Sequence, residues 1–451
     1  MTKFIISAAL AVMALQPQTP PASQQTPPPQ QPTDIGAVIA SDNPGTAPRL
    51  AVPDFIALTT DAESLAIAKT IGQVLWDDLN YEREFEFIPR DVYNTIPKAT
   101  SFADIPFDRW RELNADGVVI GTVQKTANSV RVEVRILNVR THLPAFAKSY
   151  SGSGANPRAF AHTAADEIFQ TQRALKGVAQ SKLTFASDRD GERMGGTVES
   201  RQVKEIYIAD YDGENQRRVT VLKTLNTFPR WSPDAKSIAY TSYRRGGGQI
   251  FISNIYQGTL EELTKGPTEN WLAAWSPDGS KLCVASPRGT SHTNLYVVNR
   301  DGSGMRQLTN HASNNTTPTW SPSGAQIAFV SDRTGQPQIY TIGVDGTGFN
   351  RLTSDYSDRP TWSPAPYNEI AYSARTGPGF DIRILELATR NVRQLTNGEG
   401  TNESPVFAPN GRHVAFTSTR SGKKQIFTVA RDGRDLRQVT KTGNNEQPDW
   451  K

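Results

Sequence analysis

Trp320-Ser321-Pro322-Ser323-Gly324-Ala325-Gln326-Ile327-Ala328-Phe329-Val330-Ser331 couples an aromatic anchor, a proline turn and an apolar strand, and the phrase recurs through the C-terminal half of the chain. Its anchors are Trp231, Trp275, Trp320, Trp362, Phe407 in the same slot, and Trp450, set 42 to 45 residues apart. A period of forty-odd residues is the length of one four-stranded propeller blade. Each period carries four strand signals: the approach to the anchor, the Ile-Ala-Phe strand, an Ile-Tyr or Leu-Tyr strand, and a strand ending in Leu-Thr or Val-Thr. Proline presets φ in the turn after the anchor, and the Asp or Gly that follows tolerates its tight end. Asp212-Gly213, Asp301-Gly302, Asp345-Gly346 and Asp432-Gly433 are read as two-residue hairpins between the third and fourth strands. A calcium loop would need regularly spaced carboxylates that these pairs lack.

Counting strands predicts how the ring shuts. The Leu-Thr ends number six, from Thr220 to Thr440, and so do the Ile-Ala-Phe strands, the first being Leu183-Thr184-Phe185. That first strand precedes every anchor, whereas Trp450 has no such strand after it. A strand from Glu446 to Trp450 is therefore expected to pair with the one around Leu183, giving a six-bladed ring without an open edge. Cys283, the only cysteine, fills a slot held by Ala in other blades and reads as a small buried core residue; one thiol allows no intramolecular disulfide.

Upstream, the 451 residues begin with an apolar run from Phe4 to Leu15 behind Lys3, too short to span a membrane and shaped like a secretory signal. Residues 1–22 are assigned to it, with cleavage after Ala14 or Ala22. Residues 16–33 are rich in Pro and Gln and form an extended tether. Residues 34–48 hold Ile35, Val38, Ile39 and Asp42 in a polar setting, read either as an edge strand or as a short partner-binding peptide. Residues 49–177 read as an α/β domain. Leu65, Ala68, Ile71, Leu75 and Leu79 recur at helical spacing, further strands lie at Phe85–Pro89, Val118–Ile120, Val130–Val134 and Ala145–Ala147, and a last helix carries Phe160, Ala164, Ile168 and Phe169. The predicted fold is this α/β domain followed by an all-β six-bladed β-propeller over residues 178–451. A net charge of +4, with the basic residues dispersed, does not point to nucleic acid.

The residues entering each innermost strand ring one mouth of the channel. Five positions before the anchor stand Asn226, Asn270, Asn315, Ser357, Asn402 and Asn445, a repetition that suits a structural tie. The next two positions differ in every blade: Thr227-Phe228, Trp271-Leu272, Thr316-Thr317, Asp358-Arg359, Glu403-Ser404 and Glu446-Gln447. Positions that vary on a fixed frame are where a scaffold expresses specificity, and these are expected to expose aromatics and carboxylates together, a mixture suited to a protein partner. The anchors themselves read as core.

Arg49-Leu50-Ala51-Val52-Pro53-Asp54-Phe55, Ala161-His162-Thr163-Ala164-Ala165-Asp166-Glu167-Ile168-Phe169, Ile208-Ala209-Asp210-Tyr211-Asp212-Gly213 and the Trp-Ser-Pro repeats, in this order, resemble the TolB family of the periplasmic Tol-Pal envelope system. The resemblance implies a non-enzymatic, monomeric connector that needs no metal or cofactor. Its propeller would dock the outer-membrane lipoprotein Pal, and its N-terminal peptide the inner-membrane protein TolA. The expected Pal contacts are Glu269, Asn270, Leu272, Asn315, Thr316, Thr317, Asp358, Arg359, Glu403 and Glu446, of which Glu269, Leu272 and Thr316 match the family's docking positions. The expected TolA peptide centres on Ile35, Val38, Ile39 and Asp42. The Pro/Gln tether before it departs from the family pattern. The competing class is a propeller enzyme such as a glycan lyase or lactonase. Its support is thin, because there is no Gly-x-Ser-x-Gly elbow and the five His residues are scattered without a pairing motif.

Overall fold

The computed structural model describes residues 37–41, 45–127, 129–193 and 203–451. The secretory signal, the tether, Ile35 and Asp42 lie outside the described residues. No helix among the described residues is long and apolar enough to cross a membrane.

The α/β domain is built on one sheet of six strands: β1 (Arg49–Ala51), β2 (Ile56–Ala57), β3 (Glu86–Phe87), β4 (Gly117–Lys125), β5 (Val130–Asn138) and β6 (Pro144–Gly152). The order is β3-β1-β4-β5-β6, with β2 also on β4. One face is covered by α1 (Ala62–Tyr81) and α3 (Arg158–Arg173). Asp61 caps α1 by accepting from the Ser64 amide at 2.9 Å, and Ala174 ends α3 in the left-handed region. The opposite face carries only the 3-10 turns Arg90–Thr95 and Phe102–Asp104 and the six-residue α2 (Phe107–Glu112). One expectation fails here: Leu65 is 53% exposed, because the buried stripe of α1 runs through Ile67, Ala68, Ile71, Val74 and Leu75 and Leu65 falls beside it.

Residues 182–450 form six four-stranded antiparallel blades. Closure follows the predicted pairing: the C-terminal strand Asn445–Trp450 lies against Lys182–Ser187, with Trp450 opposite Leu183 and Asn445 opposite Ser187. The fourth strands are shorter than expected, two or three residues each, and the Thr of each Leu-Thr end lies just beyond them. Its hydroxyl accepts a third-strand amide instead, as in Ile250 N to Thr264 Oγ1 at 2.9 Å and Ile426 N to Thr440 Oγ1 at 2.8 Å. The Asp-Gly hairpins also need correction. Only the glycine has positive φ, 84° at Gly302 and 91° at Gly346, and Gly302 N donates to Asn299 O. These are three-residue loops with the glycine in the bulge position; a two-residue type I′ turn would need both residues left-handed. The Asp stays right-handed and accepts from the amide two residues on, as Asp301 does from Ser303. Cys283 is buried as expected, and burial pushes its thiol far above the ordinary range.

Propeller and α/β domain share one continuous core in which Tyr81, Phe169 and Val178 join Leu183, Tyr211 and Trp450. Arg412 pairs with Glu82 at 2.6 Å and Glu84 at 2.7 Å across this junction.

Candidate functional site

Every innermost strand is interrupted at the same place. Its pairing with the second strand shifts register between the fourth position before the anchor and the position before the anchor, as between Thr227 and Arg230 or Thr316 and Thr319. The residue three before the anchor is left-handed in all six blades: Phe228 (φ 54°), Leu272 (57°), Thr317 (47°), Arg359 (55°), Ser404 (56°) and Gln447 (60°). None is a glycine, although this conformation costs other residues roughly 1–2 kcal/mol. Hydroxyls from the second strand of the preceding blade hold several of these bulges. Leu272 N donates to Thr241 Oγ1 at 3.2 Å, Ser404 N to Ser373 Oγ at 3.1 Å and Gln447 N to Thr417 Oγ1 at 3.0 Å.

The bulges turn unlike side chains into one channel mouth. Phe228 and Arg359, from opposite blades, meet across it with the guanidinium carbon 4.4 Å from the ring centre. Phe228 N also donates to Gln447 Oε1 at 2.8 Å. Glu269, Leu272, Thr316, Thr317, Asp358, Arg359 and Glu403 are half-buried around this rim. Glu269 accepts from the Gly248 amide at 3.3 Å, and a Cβ on Gly248 would sit 2.3 Å from the Trp271 indole nitrogen, so the missing side chain at Gly248 makes room for Trp271.

Three expected contacts do not belong to this surface. Asn270 and Asn315 are wholly buried. Asn270 Nδ2 donates to Thr268 O at 2.9 Å, the anticipated local tie, but also to Gln249 Oε1 of the preceding blade at 3.0 Å. Asn315 Nδ2 reaches Asn294 Oδ1 at 3.1 Å in the same way, so these residues bolt blade to blade. Glu446 is buried between Lys204 and Lys424, the latter at 2.6 Å. Burial alone would raise its carboxyl, but the two ammonium groups hold it below the usual range. The expectation of freely exposed aromatics fails as well, since Phe228 is covered by Arg359.

The anchors stand at the other end of the innermost strands. Trp231, Trp320, Phe407 and Trp450 are buried, while Trp275 and Trp362 are only half-buried. All six line a cavity of about 380 Å³ beside Lys176 of the interdomain connection, so they are less completely core than the repeat suggests. Their indoles staple neighbouring blades: Trp275 Nε1 donates to Arg230 O at 3.2 Å, and Trp320 Nε1 to Ala274 O at 3.0 Å.

In the N-terminal peptide, Val38 is exposed but Ile39 is buried in the α/β core. Ile39 N donates to Gln172 Oε1 at 2.9 Å, and Gln172 Nε2 donates back to Ala37 O at 3.2 Å. Residues 37–41 form no strand, so the edge-strand reading is not realised there. Among the described residues no group of three or more His, Cys, Asp or Glu side chains is placed to hold a metal.

Comparison with known proteins follows the same division. A family model described as the TolB amino-terminal domain matches residues 41–143, and one described as the TolB beta propeller domain matches residues 174–451. The Tol-Pal system protein TolB of Francisella tularensis subsp. mediasiatica is 30% identical over 398 residues, which cover 84% of this chain and 87% of that protein. The chain belongs to the TolB family. The TolB of Desulfosudis oleivorans is 31% identical over 260 residues, 57% of this chain and 56% of that protein. The crystal structure of TolB from Acinetobacter baumannii superposes with a TM-score of 0.74 at 22% identity, covering 90% of this chain and 96% of that one. That likeness establishes the fold, an α/β region followed by a six-bladed propeller. The relatives are named as Tol-Pal system proteins, and family membership gives this chain a general place in that system.

Proposed function

We propose that this protein is a non-enzymatic, monomeric periplasmic scaffold whose channel mouth binds a Pal-like, peptidoglycan-associated lipoprotein and whose N-terminal peptide binds a TolA-like inner-membrane protein. It would thereby support envelope integrity and outer-membrane constriction in cell division. The observation that carries this reading is the ring of six left-handed, non-glycine residues. Glycine would relieve the backbone at each, yet six different side chains are kept there, at one mouth, over a rigid frame. Contacts with the lipoprotein are assigned to Glu269, Leu272, Thr316, Thr317, Asp358, Arg359 and Glu403, all of which face that rim half-buried. A partner would complete the burial of such positions at little cost in ordering them, since backbone and rotamers are already constrained.

TolA binding by the N-terminal peptide requires Ile39 to leave the core and Gln172 to give up its bonds to the peptide. The peptide would thus alternate between its own domain and the partner.

The test is a pull-down with the Pal-like lipoprotein. Thr316→Arg places a long cation in the rim without touching a buried group, so capture should be lost while thermal melting is unchanged. Normal capture by that variant would sink the assignment of the mouth.

A further inference from the structure

The α/β domain contains a cavity of about 610 Å³ that the scaffold role does not use. It lies at the β2 edge of the sheet, between α1, which contributes Leu65, Ala68 and Lys69, and the short 3-10 turns and connecting loop that roof the other face. Pro97 restricts that loop and Pro106 the segment after it, and pieces of so few residues leave space beside the strands. The walls are apolar, with Phe55 and Ile56 at β2 and Ile120 on β4 on the sheet side and Ile96, Ile105 and Trp110 on the roof side. Among the described residues β2 pairs only with β4, which leaves its outer edge without a strand beside it.

The rim has a different chemistry. Three cations, Lys69, Arg90 and Lys98, line the cavity against a single acid, Asp54, which Arg90 already pairs at 3.1 Å. Lys69 and Lys98 are exposed and have no ion-pair partner among the described residues. Leu65 lies one helical turn before Lys69 on the same side of α1, at the opening, and this is the residue that helical periodicity assigns to the core yet is left 53% exposed. An apolar hollow of ligand size with two unpaired cations and an exposed leucine at its lip selects for a molecule that is hydrocarbon at one end and anionic at the other.

We propose that this cavity binds an anionic amphiphile with a single hydrocarbon chain, the chain lying over Phe55, Ile56 and Ile120 and the headgroup held between Lys69 and Lys98. A neutral lipid leaves both cations unanswered, and a bare anion leaves the apolar walls wet. The headgroup can be a carboxylate, as in a fatty acid, or a phosphate, as in a single-chain phospholipid. Both share the recognised chemistry.

The test is calorimetric titration of the full chain with dodecanoate, dodecyl phosphate, dodecanol and inorganic phosphate, the amphiphiles kept below their micellar or solubility limits. The expected result is one site for dodecanoate or dodecyl phosphate, the tighter of the two identifying the headgroup, with dodecanol about tenfold weaker and no heat from inorganic phosphate. Lys69→Glu with Lys98→Glu, two exposed changes, should weaken the anionic ligands by about tenfold or more and leave dodecanol unchanged. Leu65→Asp should weaken the alcohol as well. The proposal is overturned if the anionic ligands bind no better than dodecanol, if the double variant binds them as the wild type does, if inorganic phosphate alone occupies the site, or if uptake is many molecules per chain. Failure of this test leaves the channel mouth untouched, since the two sites lie in different domains.

Discussion

His162 offers a quantitative check on how the two domains are joined. Its ring on α3 is almost completely buried, with Nδ1 2.8 Å from Asp78 Oδ2 on α1 and Nε2 3.6 Å from Asp210 Oδ2 in the closing blade. Asp78 also accepts from Tyr211 Oη at 2.8 Å, and Asp210 also pairs with Lys182. Burial alone would lower the pKa of the imidazole, but the Asp210 and Asp78 carboxylates outweigh it and push the value up to about 9. In the unfolded chain it returns to about 6.5. Between those values the folded protein holds a proton that the unfolded chain releases, so this contribution is complete below pH 6.5 and is lost as pH rises towards 9. At about 1.4 kcal/mol per pH unit the loss comes to about 3 kcal/mol. The assay is urea unfolding at pH 6.5 and pH 9.5 for the wild type and for His162→Gln, which keeps a hydrogen-bonding side chain but cannot titrate. The wild type should lose about 3 kcal/mol more than the variant over that interval. Equal losses would refute the claim that a charged His162 ties α1 and α3 to the propeller.

The acid limb belongs to a different histidine. His413 is buried against Tyr81, ring centres 4.1 Å apart, and burial with the Arg412 charge lowers its pKa to about 3. It folds neutral, so stability falls as pH drops below 6.5, by about 2–3 kcal/mol at pH 4.5; His413→Phe keeps the stacking and should flatten this limb in the same urea assay. Trp320→Ala should cost roughly 3–5 kcal/mol, as large cavities do, because Trp320 packs between blades and loses its bond to Ala274 O. A melting temperature equal to wild type would show that Trp320 is not buried there.

Much of this was readable from one line of residues because propeller architecture is locally encoded. The Trp-Ser-Pro turns, the glycines after each Asp and the period near forty-four state where strands begin and end, and the leftover strands at Leu183 and Trp450 can satisfy each other only by pairing. What stayed hidden depends on contacts between distant segments. Asn270 tied to Gln249, and His162 between Asp78 and Asp210, leave no periodic trace; Leu65 fits a helical stripe, and only the seating of α1 on the sheet, with Ile67, Ala68 and Ile71 inward, explains its exposure.

The channel mouth was half legible, and the hidden half gives the site its meaning. Sequence showed that the residues before each anchor differ from blade to blade, but variation alone also describes an idle surface. Turn chemistry gave no warning of the left-handed backbone, since Phe228, Leu272, Thr317, Arg359, Ser404 and Gln447 include none of the Gly, Asn or Asp that normally mark it. Glycine would relieve the backbone at these six positions, but at Phe228, Arg359 and Gln447 it would also remove side-chain contacts that join them across the mouth. Six different side chains held on a backbone that disfavours them make this mouth the place where the proposed partner contact is to be tested.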